Sequence, residues 1–397
     1  NDYRRFNYTP YAFRTKNYGK TWERIVDEND TESYALSIVE DPEEKNLLFL
    51  GTDDGLYVSL NAGKDWTKWT EGFPTVSVKD MVIHPREHDL VIGTFGRAAW
   101  VLDDIRPLRE LAKDPSVLEK NIQLFEPPTA YQAAYQQPTG SRFGADALYN
   151  GENRAYGARF RYYFQKKEKD TTTTEIEGMS KDSLYLKIYD GDRLIRTLKR
   201  KIPDSTGIYN WRWYMDEAGV ERPSRELRDR NREPGGTSVK PGDYRAELSY
   251  MEENAMTIIS VESDPRLEVS QKAIDESYAA SKKLEAWTQT AAEAVKQLAE
   301  SKNAVEAFNK RMKDEDEEKF EEAIKLGKET LKKIDSVIAM YLGKEDDRQG
   351  ITRNQEPSVM QRIGTANWYV SSRPTGMTAT ETQLLTQAED ELENALQ

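Results

Sequence analysis

A repeat in the first hundred residues constrains this chain more than any other feature. Thr15-Lys16-Asn17-Tyr18-Gly19-Lys20-Thr21-Trp22 returns as Ser59-Leu60-Asn61-Ala62-Gly63-Lys64-Asp65-Trp66, with the tryptophans 44 positions apart. Ser37-Ile38-Val39-Glu40-Asp41-Pro42 returns as Asp80-Met81-Val82-Ile83-His84-Pro85, with the prolines 43 apart. Leu47-Leu48-Phe49-Leu50-Gly51-Thr52 returns as Leu90-Val91-Ile92-Gly93-Thr94, with the glycines 42 apart. A period of 42 to 44 suits a four-stranded propeller blade, and a solenoid of helix pairs is its main competitor. Short β-rich runs bounded by Gly, Asn and Asp favour the blade.

The eight-residue box has a mechanical reading. Asn17 and Asn61 can fold their side chains back onto the backbone two residues on and cap a tight turn. Gly19 and Gly63 supply the positive φ such a turn needs. Thr21 completes the first box, and Trp22 and Trp66 open the next strand, where they can wedge between blades. The box resembles the Asp-box of bacterial neuraminidase repeats, with Asn in place of Asp at the third position in both copies and Asp65 in place of the usual Thr. Its role is structural. About two and a half blades precede Asp104, whereas closure takes roughly four to eight. Residues 1–397 are therefore expected to be the C-terminal part of a longer polypeptide or one piece of a processed one, with room for further chain beyond Gln397. The lack of a signal peptide then carries no information.

The stretch Gly93-Thr94-Phe95-Gly96-Arg97-Ala98-Ala99-Trp100-Val101-Leu102-Asp103-Asp104-Ile105-Arg106-Pro107-Leu108 resembles the final blade of large sortilin-like propeller proteins of bacteria, often labelled glycosyl hydrolase or exo-sialidase. That family usually has His where Phe95 stands and Gly where Ala98 stands. Tyr156-Gly157-Ala158-Arg159-Phe160, followed by Tyr162-Tyr163, resembles the family's entry into an Ig-like sandwich. The resemblance implies a multidomain chain, mainly β and then α. Residues 1–104 would be the last blades of a β-propeller, 105–155 a connector, 156–264 an Ig-like β-sandwich and 265–397 an antiparallel helical bundle.

Local pattern agrees with that division. Asp104 to Lys120 reads as a short helix, stopped before Pro127-Pro128, with an Ala-, Gln-, Tyr- and Gly-rich segment running to Asn153. Leu184, Leu186 and Ile188 alternate with Tyr185, Lys187 and Tyr189, a half-buried strand. Asp190-Gly191 turns it back. Tyr209, Trp211 and Trp213 share one face of a later strand, and Tyr244, Ala246, Leu248 and Tyr250 share one of another. Between them Arg222, Arg225, Arg228, Arg230 and Arg232 are mixed with acids in a stretch from Glu221 to Gly236 that reads as a solvated loop. From Ser270 the spacing is helical. Ile274, Tyr278, Ala279, Leu284, Trp287, Ala291, Val295, Leu298, Val305 and Phe308 form one stripe. Asp314 to Glu318 marks a turn, and Phe320, Ile324, Leu331, Ile334, Ile338 and Tyr341 form the second stripe, ended by Gly343. A looped segment containing Pro357, Gly364, Trp368 and Pro374 is expected before Thr380 caps a last helix.

Composition removes many chemistries. There is no cysteine, which excludes disulfides, thiolate catalysis and cysteine–zinc sites. His84 and His88 are the only histidines, and His84 precedes Pro85 in a loop between strands. A net charge of −13 argues against nucleic acid, and no run of about 18 apolar residues spans a bilayer. Asp103-Asp104 is a carboxylate pair, but neighbours on a strand point to opposite faces, a poor geometry for glycoside cleavage. Arg97 has no companion arginines. No catalytic, cofactor or metal site is assigned. The reading favoured is a non-catalytic protein-binding or assembly module of an envelope-associated or secreted bacterial protein, located outside the cytoplasm. Its expected partners are N-terminal blades of the same protein and other envelope proteins. The alternative is a glycoside-acting hydrolase, with a glycan as ligand and its site mainly in absent N-terminal blades.

Overall fold

The computed structural model describes residues 2–133, 154–166, 180, 182–227, 233–344 and 356–397. Most of the expected connector beyond Ala133, and Arg228, Arg230 and Arg232 of the arginine-rich stretch, lie outside the described residues.

Small sheets come first and helices last. β1 (Ala12–Arg14) pairs with β2 (Glu23–Val26). β3 (Ala35–Glu40), β4 (Leu48–Thr52), β5 (Gly55–Ser59) and β6 (Thr67–Lys68) form an antiparallel meander, as do β7 (Ser77–Ile83), β8 (Leu90–Phe95) and β9 (Ala99–Leu102). Burial shows how they stack. Every residue of β4 is buried, on both faces, which requires cover on two sides. One face, carrying Leu48 and Leu50, packs with Ile25 and Val26 of β2. The other, carrying Phe49 with Val58 of β5, packs with Val78, Met81 and Ile83 of β7. The β3–β6 sheet is thus the middle of three layers.

Among the described residues the β7–β9 sheet is covered on one face only. On its other face Val82 pairs with Val91 and Val91 with Val101, and Val82 is 60% and Val101 54% exposed. The repeat identifies this row. Val39, Phe49 and Val58 pair in the same way across β3, β4 and β5, and there the row is packed against the β7–β9 sheet.

After β9 the chain forms α1 (Arg106–Lys113), shorter than the helix expected from 104 to 120. Pro115 cannot extend it, and the Asp114 side chain accepts from the Ser116 N–H to begin a separate 3-10 turn, Pro115–Glu119. Two sheets then share one core. The first takes β10 (Ile122–Leu124), β12 (Ala158–Phe164) and β15 (Gly207–Trp213); the second takes β11 (Ala130–Gln132), β13 (Ser183–Asp190), β14 (Arg193–Lys201), β18 (Gly242–Tyr250) and β19 (Glu253–Ser263). Phe160, Tyr162, Phe164, Trp211 and Trp213 face Leu184, Leu186, Ile188, Tyr244, Ala246 and Leu248. A small hairpin, β16 (Asp216–Ala218) with β17 (Gly235–Ser238), stands beside them.

Among the described residues four helices follow: α2 (Gln271–Asp316), α3 (Glu321–Leu342), α4 (Val359–Ser372) and α5 (Ala379–Leu396). Leu284, Ala291 and Val295 of α2 share a core with Tyr341, Ile363, Val370 and Leu392. The α2 stripe needs two corrections: Ala280 is buried in place of Ala279, and Phe308 is exposed. A larger correction is α4, which occupies the expected loop. Pro357 and Pro374 bracket the helix and do not break it, and Ser358 with Gln361 forms a capping box at its start. The last helix is capped by Thr378, not Thr380. Thr378 is three residues ahead of Glu381, whose carboxylate accepts from the Thr378 backbone and hydroxyl.

Candidate functional site

The two repeat boxes form matching turns. In the first, the Gly19 N–H donates to Thr15 Oγ1 at 2.8 Å and the Thr21 N–H donates to Asn17 Oδ1 at 2.8 Å. In the second, the Gly63 N–H donates to Ser59 Oγ at 2.8 Å and the Asp65 N–H donates to Asn61 Oδ1 at 2.9 Å. The asparagines thus reach four residues ahead, farther than the two expected, because the turn contains two successive left-handed residues: Tyr18 and Gly19, then Ala62 and Gly63. The hydroxyl at the first box position, present in both copies, was the missed signal. Trp66 donates from Nε1 to the Ile25 carbonyl at 2.9 Å and so ties the middle sheet to β2, whereas Trp22 is exposed.

The amide nitrogens explain the use of asparagine. Asn17 Nδ2 donates to Thr21 Oγ1 at 2.8 Å, and Asn61 Nδ2 donates to Asp65 Oδ2 at 2.6 Å. Asn61→Asp would set two carboxylates at hydrogen-bond distance and is expected to cost about 1–3 kcal/mol. Asn17→Asp keeps a partner in the Thr21 hydroxyl, which can turn to donate, and is expected to cost under about 1 kcal/mol. Urea unfolding of the two variants checks the contrast.

The residues weighed for catalysis are committed to structure. The buried Asp104 carboxylate accepts from Arg106 Nε at 2.6 Å and stands 3.6 Å from Arg161 Nε. Arg159 stands 3.8 Å from Asp103, and Arg161 donates to the Asp103 carbonyl at 2.7 Å. Arg154 joins Glu87 and Asp89, and Asp89 accepts from the Asp104 N–H at 2.9 Å. These contacts clamp the β7–β9 sheet to β12 and the residues just before it. His84 Nδ1 accepts from the Glu87 N–H at 3.1 Å within its turn. His88 Nδ1 lies 2.7 Å from Arg109 Nη1, and since arginine only donates, the imidazole accepts. Arg109 reaches Asp41 at 2.9 Å and Glu43 at 2.9 Å, joining α1 to the middle sheet. Arg97 is exposed, and its carbonyl accepts from Trp100 Nε1.

A second centre lies where α2 meets the β16–β17 hairpin, and composition alone did not point to it. Glu217 on β16 accepts from Arg193 at 2.9 and 3.2 Å, from the Tyr278 hydroxyl at 2.6 Å and from Lys282 at 3.3 Å. Lys282 also pairs with Glu285, which accepts from the Thr237 hydroxyl at 3.3 Å. Burial would raise the Glu217 carboxyl, but hydrogen bonds from Arg193 and Tyr278 and the charge of Lys282 bring it down to about 2. A depressed carboxylate stabilises the fold above its unfolded value, about 4.5, and that contribution is lost as pH falls towards 2. The expected loss is about 2–3 kcal/mol, discounted for the exposed Arg193. It should show as a drop in melting temperature between pH 4.5 and 2 that Glu217→Gln reduces.

Beside this network a cleft of about 510 Å³ opens between β17, α2 and α4. Among the described residues no three of His, Asp or Glu gather to hold a metal ion.

Residues 11–104, about a quarter of the chain, match the Sortilin-Vps10 family, described as sortilin, neurotensin receptor 3. The match covers the three stacked sheets. No curated protein matches. A solved structure, the extracellular domain of a one-component system from B. thetaiotaomicron, aligns at 11% identity and a TM-score of 0.18. The alignment covers 65% of this chain and 29% of that one, and a score this low carries no argument about fold.

Proposed function

We propose that the chain is a non-catalytic binding and assembly module of an extracytoplasmic protein. In this reading the stacked sheets are blades of a β-propeller with Asp-box turns, the paired sheets an Ig-like sandwich, and α2 to α5 an antiparallel helical bundle. The boundaries fall at 104, 155 and 264. One observation carries the proposal: the open row Val82, Val91 and Val101 is the repeat-equivalent of a row that is packed against a neighbouring sheet. A contiguous apolar sheet face of this kind is a docking face, and a further blade is the partner whose shape it fits. The sortilin match over 11–104 supports an extracytoplasmic setting. The ion pairs that occupy Asp103, Asp104 and Asp89 favour a module that binds over one that cleaves glycosides.

The test is a Val82→Lys, Val101→Lys double variant. It should keep the melting temperature of the isolated chain, since both sites are exposed, and lose its place in the native assembly on size-exclusion chromatography with light scattering. Retention in the assembly, or glycan cleavage by the assembly that depends on Asp103 or Asp104, would refute the reading.

A further inference from the structure

We infer that the aromatic face of the β1–β2 sheet, at the opposite end of the stack from the valine row, is a second docking face, and that its occupant is the rear of a further sheet of this repeat. Register makes the comparison residue by residue. Phe13 pairs with Arg24 and Arg14 with Glu23; 44 positions on, Tyr57 pairs with Lys68 and Val58 with Thr67. β1–β2 is therefore the counterpart of β5–β6, box turn included. In the middle sheet Tyr57 is buried against Ile25 and Val26, and Ala62 and Trp66 pack on the same cluster. Of their counterparts, Phe13 is 53% and Trp22 62% exposed, and Tyr18 is fully exposed. The box glycines repeat the contrast. A Cβ on Gly63 would come within 3.3 Å of Ile25, whereas one on Gly19 meets no other sheet. Trp22 nevertheless holds the pose of Trp66, each Cζ2 standing over its box glycine, 3.8 and 3.6 Å from a Cβ built there. A ring preset in this way gives up little freedom on docking.

The stack itself names the occupant. Leu48 and Leu50 lie on the front of the middle sheet, the face with Tyr57 and Trp66, and pack on β2. Their counterparts Leu90 and Ile92 of β8 pack with Phe49 and Val58, on the rear of the middle sheet. Each later sheet thus lays its front on the rear of the one before it. Such a contact runs head to tail, unlike the self-complementary contact of a two-fold dimer. The front of β1–β2 accordingly takes a rear face, and the order of the stack assigns it to polypeptide N-terminal to Asn1. Its chemistry follows from the rear faces already in place, which offer Ile25 and Val26 or Phe49 and Val58. Its outer strand also turns a carbonyl to the tryptophan, as the Ile25 carbonyl accepts from Trp66 Nε1 at 2.9 Å. Trp22 presents an apolar body and the same N–H to such a surface.

The inference rests on the blade reading above but concerns the other end of the stack, so the two fail separately. Hydroxyl-radical oxidation, read by mass spectrometry, compares the isolated chain with the polypeptide as the cell assembles it, and Trp66 calibrates each setting. In the isolated chain Trp22 should oxidise about 2-fold or more faster than the half-buried Trp66, and in the assembled polypeptide the two rates should match. A photoreactive ring at the fully exposed Tyr18 (Tyr18→benzoylphenylalanine) then identifies the occupant. The expected cross-link leaves the mass of the polypeptide unaltered and maps to a sheet of this repeat N-terminal to Asn1. An unchanged ratio of Trp22 to Trp66 oxidation overturns the inference, as does the lack of a cross-link, or one that doubles the mass, joins an unrelated protein or falls outside the repeat. Protection of the valine row with Trp22 left reactive overturns this inference alone, and the reverse leaves it standing.

Discussion

Arg109→Leu is expected to cost about 3–5 kcal/mol. The Asp41 side chain is fully buried, and among the described residues Arg109 is the cation that pairs with it. Removing the guanidinium leaves a buried carboxylate without its counter-charge. Asp41 also accepts from the Glu43 and Glu44 N–H groups at 2.9 and 2.8 Å, so any shift of its side chain would loosen the β3–β4 loop as well. The double variant Arg109→Leu, Asp41→Leu should recover part of the loss, because an apolar pair replaces a buried charge. Urea denaturation of the two variants checks it. A single variant within about 1 kcal/mol of wild type would contradict this account.

The second large effect separates two glycines that the repeat makes equivalent. A Cβ at Gly51 would meet Ser37 Oγ at 2.4 Å, Val78 Cγ1 at 2.6 Å and the Val78 carbonyl at 2.8 Å. Backbone from the next sheet cannot turn aside as a side chain can, so Gly51→Ala should cost about 2–3 kcal/mol. At Gly93 the nearest atom is the Asp80 carbonyl of its own sheet at 3.5 Å, an ordinary contact. Gly93→Ala should be neutral or stabilise by up to about 1 kcal/mol, through lost freedom of the unfolded chain. The asymmetry follows from the stack: Gly51 faces a neighbouring sheet and Gly93 faces the open side. Equal effects would deny it.

Much of this was legible in the repeat. The box asparagines and the paired prolines reflect local backbone chemistry, which sequence reports directly. The alternation of Leu184, Leu186 and Ile188 did the same for the paired sheets. What escaped was non-local or ambiguous. Pro357 and Pro374 read as breakers because proline is tolerated at a helix's edges and excluded from its interior, and only the Ser358 and Gln361 pair distinguishes the two cases. Thr378 with Glu381 and Thr380 with Gln383 offer rival capping boxes, and packing around the buried Glu381 settled the choice. The Glu217 centre unites β14, β16 and α2 from residues 193 to 282, a convergence no local pattern encodes. The cleft arises from the same convergence.

The central claim is that the valine row meets another sheet in the assembled protein. The chain contains no cysteine, so one introduced thiol reports on one position. Val101→Cys should react quickly with maleimide in the isolated chain and be protected in the polypeptide as the cell assembles it. Val58→Cys, its repeat-equivalent in the middle sheet, should be protected in both. Equal, rapid labelling of Val101→Cys in both settings would contradict the claim.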